Sequence, residues 1–130
     1  MARLFSDEST HPNRALQVWL ILIGRAANRQ TMTYEMLAKQ IGYSRADFLA
    51  HILGHVMYYC SHADLPSLTA LVVYKDGGTP GSGFVSTDPN MERERVYGFD
   101  WYSIFPPSPD ELRAAYQRGE AERKSAAAAA

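Results

Sequence analysis

Apolar residues recur at helical spacing through residues 33–62, first in a short run and then in a longer one. The apolar positions of the longer run are Phe48, Leu49, Ile52, Leu53, Val56, Met57 and Cys60. This spacing predicts an amphipathic helix with one buried stripe. The two runs are separated by Gly42-Tyr43-Ser44, and a short glycine-containing turn between two helices indicates a helix-turn-helix.

The second helix of this pair has its own start signal and a distinctive polar face. We expect Ser44 to cap it, with Asp47 three residues further on. The polar face carries Arg45, Asp47, His51, His55 and Tyr58. A row of small residues, Ala46, Ala50 and Gly54, lies between the two faces at a spacing of four. Small residues allow close approach to the helix backbone, by a nucleic-acid groove or by another helix, and both alternatives stay open.

The sequence predicts a further helix before this helix pair and a β-hairpin after it. Pro12 suits the first turn of a helix that is capped by Thr10 or His11 and runs to about residue 27. On this helix and just after it we expect three arginines, Arg14, Arg25 and Arg29, to be exposed. Residues 68–74 are rich in apolar and β-branched side chains and predict a strand, residues 76–83 a glycine-rich turn, and Phe84-Val85 a return strand. Helix, helix-turn-helix and β-hairpin form a winged helix, so the expected fold is mainly α with a small β-hairpin (α+β).

The last third of the sequence predicts two more helices. Asp88-Pro89 opens a short one, and Ser108-Pro109-Asp110-Glu111 is a strong start signal for the other, which runs to about residue 124. Between them, alternation places Tyr97, Phe99 and Trp101 on one face of an extended segment. The expected organisation is a flexible N-terminal arm (1–10), a winged-helix domain (11–105), a C-terminal helix (106–125) and a tag or placeholder (126–130).

The composition leaves the predicted fold unchanged and bears only on the choice of partner and compartment. The chain has 130 residues, a net charge of -1 and a pI of about 6.4, whereas proteins that bind phosphates usually have a basic excess. Residues 1–50 nevertheless hold six Lys and Arg against four Asp and Glu. Cys60 is the single cysteine, which excludes an internal disulfide and is typical of a reducing compartment. Since no stretch reaches transmembrane length and no signal peptide is present, we expect a cytoplasmic protein without membrane contact.

The sequence supports no catalytic residue, cofactor or metal site. It contains neither a GxSxG elbow nor a GxxxxGK[ST] phosphate loop. His51 and His55 have the spacing of zinc ligands, but the glutamate of HExxH and an obvious third ligand are missing. Cys60 falls on the apolar stripe of the second helix, where a thiol is inert.

Several motifs occur together in one stretch. Thr33-Tyr34-Glu35-Met36-Leu37-Ala38 is followed by Ile41-Gly42, then by His51-Ile52-Leu53-Gly54, and then by Leu71-Val72-Val73 ahead of Gly77-Gly78. In this order they resemble the TYGELA-type helix, the IG turn, the RAVG recognition helix and the strand and wing of the alkylguanine-DNA alkyltransferases and alkyltransferase-like proteins. The resemblance covers residues 32–84 and implies a prokaryotic-type winged helix that presents its recognition helix to the DNA minor groove.

The chain departs from this family at the residues that carry its chemistry. The family's PCHR motif is absent, and its nucleophilic cysteine would fall near Thr69. The base-flipping arginine of the family corresponds to His51. The resemblance therefore implies the scaffold without suicide alkyl transfer.

Two functions follow as expectations. The first is a non-enzymatic protein that binds double-stranded DNA through a set of polar and basic side chains: Arg29, Lys39, Ser44, Arg45, His51, His55, Tyr58 and Lys75. The second is a protein–protein interaction module, an adaptor or inhibitor, that docks through the small-residue row or through residues 97–102. The resemblance favours DNA, and the near-neutral charge favours a protein partner.

Overall fold

The computed structural model describes residues 1–75 and 88–129 of the chain. Within them it contains five α-helices and two short strands: α1 (His11–Ala27), β1 (Met32–Thr33), α2 (Tyr34–Gln40), α3 (Leu49–His62), β2 (Val72–Val73), α4 (Pro89–Gly98) and α5 (Pro109–Ala129). Single 3-10 turns lie at Phe5–Glu8, Ala46–Phe48, Leu68–Leu71 and Trp101–Ser103. The expectation of a mainly helical α+β fold with little sheet is confirmed.

Four of the helices begin where their sequence signals predicted. Thr10 accepts a hydrogen bond from the Asn13 backbone N–H (3.3 Å) and so caps α1. Thr33 caps α2 and Asp88 caps α4 through bonds of 3.1 and 3.2 Å. At α5, the Glu111 N–H donates to Ser108 Oγ (3.1 Å) and the Glu111 carboxylate accepts from the Ser108 N–H (3.0 Å), which forms a reciprocal capping box.

The core forms where α1 packs against α3 and α5. Trp19 of α1 is fully buried and makes edge-to-face contacts with Trp101 and Tyr59, whose ring centroids lie 5.5 and 5.7 Å away. Aromatic pairs in this geometry stabilise a core beyond the area they bury. Most of the predicted inward stripe of α3 is buried, including Cys60, although Phe48 before its first turn is exposed and Met57 is only half-buried.

The connection between α2 and α3 is longer than predicted. Gly42 does end α2 in the left-handed region, with φ of +85°. However, α3 begins only at Leu49, after the 3-10 turn, and Phe48 occupies its cap position without a side-chain bond. The prediction that Ser44 caps α3 is therefore wrong. The side chain of Asp47 is held instead by Arg45, with N–O distances of 2.8 and 3.2 Å.

The predicted strand over residues 68–74 is mostly a different element. Leu68–Leu71 forms a buried 3-10 turn, and only Val72 and Val73 are in a strand. β2 pairs in parallel with β1, in the register Met32 with Val72 and Thr33 with Val73. Parallel strands need a long crossover connection, and here α2 and α3 lie between the two strands in the chain. The predicted turn at 76–83 and return strand at 84–85 lie outside the described residues.

The aromatic segment near residue 100 is not extended. Tyr97 lies in the last turn of α4, and Trp101 begins a 3-10 turn. The Trp101 indole is buried and donates to the Val96 carbonyl (2.8 Å), which folds the segment back on the helix. The placement of Tyr97, Phe99 and Trp101 on one face of a strand is therefore wrong.

Arg14 was expected to be exposed but is buried. Its guanidinium donates to the Ile41 carbonyl (2.7 Å) and to Gln17 Oε1 (2.8 Å), while its Nε donates to Ser9 Oγ (2.9 Å). The guanidinium carbon also lies 5.1 Å from the centre of the Tyr43 ring. Arg14 therefore stabilises the end of α2, since it binds a carbonyl that the helix leaves without an intrahelical partner.

Candidate functional site

Helix α5 covers most of the α3 face that was expected to meet DNA. His55 is 4% exposed, and its ring stacks on Tyr116 with centroids 4.3 Å apart. Tyr58 donates to the Glu120 carboxylate (2.9 Å), and His62 Nε2 lies 3.0 Å from Glu122. His55 and Tyr58 are expected from the sequence to face DNA, but His55 is buried against α5, and the half-buried Tyr58 is bonded to Glu120 of the same helix.

The close approach of α5 depends on two glycines. A Cβ atom on Gly119 would lie 2.2 Å from the Tyr58 ring, so only glycine fits there without a shift. A Cβ atom on Gly54 would lie 3.0 Å from the Tyr116 ring. At Gly54, the small-residue row accommodates another helix. Ala46 and Ala50, the other members of the row, line an open cavity.

The remaining predicted residues lie in different places. Ser44 and Arg45 are exposed before α3, and Arg45 is paired with Asp47. Lys39 is exposed in the last turn of α2, and Lys75 is exposed beyond β2. His51 of α3 is exposed, and its Nδ1 atom lies 2.8 Å from the hydroxyl of Tyr116 on α5.

Arg29 faces α4. Its guanidinium binds both oxygens of Glu94 at 2.8 Å, and this hydrogen-bonded carboxylate raises the pKa of Arg29. The same group lies 4.8 Å from the centre of the Tyr97 ring. Arg29 therefore joins the end of α1 to α4, and its charge is already matched.

The cavity beside α3 is the candidate functional site. It has a volume of about 570 Å³, within the range typical of small-molecule sites. Its walls come from the start of α2, the 3-10 turns at Ala46–Phe48 and Leu68–Leu71, most of α3, the residue after β2 and the middle of α5. Four tyrosines line it: Tyr34, Tyr58, Tyr74 and Tyr116. Helix α3 contributes the apolar side chains Leu49, Leu53 and Met57 together with Ala50 and Gly54, and Ala46 comes from the turn before it.

Four charged side chains among the described residues line the cavity. Asp47 is paired with Arg45, Glu120 is paired with Arg123, and Glu35 lies in the first turn of α2. The pKa of Glu120 lies at about 2, because Arg123 donates two hydrogen bonds to its carboxylate (3.0 and 3.1 Å) and Tyr58 donates a third. Desolvation raises the pKa of Tyr58 and of Tyr116, so both phenols stay protonated at neutral pH.

Thr69 belongs to the cavity wall, but its hydroxyl oxygen is buried. The residue is 8% exposed, and its Oγ1 atom makes no hydrogen bond with any of the described residues. A buried hydroxyl without a partner is unfavourable by roughly 1–3 kcal/mol, so such groups in native proteins usually have a reason. Thr69 stands near the place where the resemblance puts the alkyltransferase cysteine.

The other reactive side chains do not form a site. Cys60 is fully buried, and desolvation raises its pKa to about 12. His11 stacks on His51 with centroids 5.4 Å apart, yet no group of three His, Cys, Asp or Glu within residues 1–75 and 88–129 is placed to hold a metal ion. In those same ranges, no helix has the length and apolar character needed to cross a membrane.

Sequence reasoning named two lining residues as functional, His51 and Tyr58, and missed the other tyrosines and Thr69. Tyr34, Tyr74 and Tyr116 belong to three different elements, so no local spacing connects them. The small-residue row was the one local signal, since it marks a helix surface to which something comes close. Comparison of the chain with protein-family models, with curated protein sequences and with solved structures gives no match.

Proposed function

We propose that the chain is a non-enzymatic, winged-helix-type protein that binds double-stranded DNA with the first half of α3. The observation that supports this most directly is the position of Ala46 and Ala50. Ala50 is exposed in the first turn of α3, and Ala46 is half-buried in the 3-10 turn that precedes this helix. Small side chains there allow a DNA backbone or groove edge to come close to the helix.

Two exposed basic side chains on the preceding elements would supply the phosphate contacts. Arg45 directly precedes the 3-10 turn, and Lys39 lies in the last turn of α2. The Arg45–Asp47 pair is also exposed, at 70% and 59% of the side chains. Exposed ion pairs contribute about 0–1 kcal/mol, so a phosphate can replace Asp47 at little cost.

The test is binding to a labelled random-sequence duplex at 50 and 200 mM salt. If about three phosphates are contacted, affinity falls roughly 40-fold over this range, because each contact releases condensed counterions. Arg45→Glu and Lys39→Glu should abolish binding. Lys124→Glu, with the same change of charge near the end of α5, is the matched control and should bind normally. Absence of binding at 50 mM salt, or full binding by Arg45→Glu, would contradict the proposal.

A protein-interaction module is the second candidate, and the exposed apolar side chains favour it. Phe48, Met36 and Tyr74 are 58%, 45% and 50% exposed and lie on the elements that form the cavity. A partner that covered these side chains would remove their apolar surface from water. If this candidate is right, Phe48→Ser abolishes co-purification of a partner, and the wild-type chain fails to bind DNA at either salt concentration.

A further inference from the structure

We propose that His11 and His51 together bind a phosphate group, and that the protein takes up protons when this group binds. The phosphate belongs either to the DNA backbone or to a small phosphate compound. With DNA as the source, the site extends the proposed function and rests on it, since His51 directly follows Ala50 in the first turn of α3. With a small compound as the source, the site stands by itself.

The two histidines come from different helices and meet at the surface. His11 is the first residue of α1, His51 lies in the first turn of α3, and both are exposed. Their rings stack with centroids 5.4 Å apart and an interplanar angle of 12°. The Nδ1 atom of His51 lies 2.8 Å from the Tyr116 hydroxyl, and its Nε2 atom bonds to none of the described residues. Since a phosphate group has several acceptor oxygens, one group can accept a hydrogen bond from each ring.

The pair has no acidic partner among the residues that the structure describes. Within residues 1–75 and 88–129, only His62 has a carboxylate within 4.0 Å of its ring nitrogens, that of Glu122. The acidic residues closest in sequence to the pair are already in ion pairs, Glu8 with Arg3 and Asp47 with Arg45. A cationic His11 or His51 therefore has its charge available for an anion from outside the chain.

The buried histidine behind the pair shows that the local charge is basic. His55 makes an edge contact with His11, with centroids 6.2 Å apart, and its Nδ1 atom donates to the His51 carbonyl (2.6 Å). The charged groups that act on it are His11, His51 and Arg113 of α5, and they lower its pKa in addition to burial. Because burial keeps His55 neutral, the two exposed rings are the ones that take up protons.

A hollow beside His11 provides space for the phosphate. It has a volume of about 310 Å³ and is lined by His11, Gly42, Tyr43, Ser44 and Phe48. Ser44 is exposed, and its hydroxyl makes no hydrogen bond with any of the described residues, so it is a further donor. The next residue in the chain is Arg45, which supplies a phosphate contact in the proposed DNA surface. The hollow is therefore continuous with that surface.

The pH dependence follows from the charge of the ligand. An imidazole ordinarily takes up a proton near pH 6.5, and a phosphate binds the cationic form more tightly than the neutral form. Binding therefore takes up protons, and by linkage the affinity rises as the pH is lowered through this range. The phenol of Tyr116 stays protonated and accepts from Nδ1 when His51 is cationic.

Sulfate is the probe for the site itself, because it has the tetrahedral shape of a phosphate and does not titrate between pH 5.8 and 7.8. Sulfate is added at both pH values at constant ionic strength, and the imidazole resonances are followed by NMR. We expect saturable shifts at His11 and His51 and an affinity at least about fivefold higher at pH 5.8. Absence of saturable shifts at these two rings, or equal affinity at both pH values, would overturn the proposal.

Glutamine variants locate the proton uptake, since glutamine donates hydrogen bonds but does not titrate. His11→Gln and His51→Gln should each weaken sulfate binding at pH 5.8 at least about threefold and leave it nearly unchanged at pH 7.8. The matched control is His62→Gln, roughly 16 Å further along α3, where Glu122 already pairs with the ring. Circular dichroism verifies the fold at each pH. Loss of the pH effect in the control, or its survival in both test variants, would contradict the assignment.

The duplex assay at pH 5.8 and 7.8 identifies the source of the phosphate. If the source is DNA, duplex affinity rises at least about tenfold at pH 5.8 in the wild type and less than about threefold in His51→Gln. With sulfate binding intact, duplex affinity that is independent of pH would assign the site to a small phosphate compound. No duplex binding at either pH would then contradict the DNA function alone. Duplex binding without any response to sulfate would overturn the histidine site alone.

Discussion

At the scale of single residues, Gly119 determines how closely α5 lies on α3. The ring of Tyr58 occupies the space that a side chain at residue 119 would need, and the Tyr58 hydroxyl is held by Glu120. The ring cannot rotate away without losing this hydrogen bond. The contact between the two helices therefore depends on the absence of one methyl group.

Gly119→Ala is expected to destabilise the protein by about 1–3 kcal/mol, the usual effect of forcing an extra methyl group into a packed contact. Urea unfolding followed by circular dichroism measures the change. Gly98→Ala is the matched control, because a Cβ atom there meets nothing within 4 Å, and it should stay within about 0.5 kcal/mol of wild type. A harmless Gly119→Ala would show that α5 does not pack as described.

Cys60 gives a second prediction at this scale. Its thiol is fully buried with a pKa of about 12, so almost no thiolate is present at pH 8. We expect no reaction with a disulfide reagent under native conditions and stoichiometric reaction in denaturant. The dependence of the rate on urea concentration should follow unfolding. Rapid native labelling would contradict the buried position and reopen the possibility of thiol chemistry.

At the scale of elements, the local signals in the sequence predicted the helix starts well. Thr10, Thr33, Asp88 and Ser108 act as caps because a cap needs only a side-chain oxygen and N–H groups two or three residues away. Ser44 has the same local pattern and does not cap. The 3-10 turn at Ala46–Phe48 leads directly into α3, so the start of that helix is set by how α3 packs on α1, which no local pattern contains.

Helix α4 is fixed by one buried carboxylate. Glu92 is 7% exposed, accepts from the Ser67 backbone N–H (2.7 Å) and from Arg95 (2.9 Å), and so ties α4 to the segment that follows α3. In the sequence, residues 91–95 (MERER) are an alternating run of charges, which is typical of a solvated helix face. Its alternation of charges does not reveal which glutamate meets an unpaired N–H group.

Glu92→Ala is expected to lower the free energy of unfolding by about 1–3 kcal/mol, because the Ser67 N–H loses its acceptor. Thermal and urea unfolding both measure this loss. Glu94→Ala, two residues away on the same helix, removes only the exposed pair with Arg29 and should change the stability by less than about 1 kcal/mol. Equal effects of the two substitutions would show that Glu92 has no special role.

At the scale of the whole molecule, the site brings together residues that are distant in sequence. Tyr34, Tyr58, Tyr74 and Tyr116 converge only after α2, α3, β2 and α5 have taken their places. Periodicity predicts which face of a helix is buried, but not which helix covers it. For this reason the polar face of α3 was assigned to DNA, although α5 covers much of it.

The interface between α3 and α5 also predicts how the stability of the protein depends on pH. Burial lowers the pKa of His55, and the charges of His11, His51 and Arg113 lower it further. The hydrogen bond to the His51 carbonyl raises this pKa, but by less than burial lowers it. An unfolded histidine takes up a proton near pH 6.5, whereas folded His55 resists it. The unfolded state therefore binds more protons below about pH 6.5, and stability is lost from there down to the lowered native pKa.

We expect the melting temperature to decrease as the pH is lowered from 7.5 to 5.5. The decrease should be smaller in His55→Phe, because phenylalanine keeps a ring against Tyr116 but cannot take up a proton. Circular dichroism melts at four pH values measure both slopes. Identical slopes in the two proteins would assign the acid sensitivity to other groups.

The parallel pairing of β1 with β2 bears on how this chain reaches its fold. Met32 and Val72 become neighbours only when all of α2 and α3 are enclosed between them. Closing a loop of that length lowers the entropy of the chain, and hydrogen bonds between two short strands do not compensate for this loss by themselves. We therefore expect the helices to be packed before the strands pair. The ladder is then a late event in folding, and lengthening the enclosed connection at Tyr43 would slow refolding only slightly, since loop entropy grows with the logarithm of length.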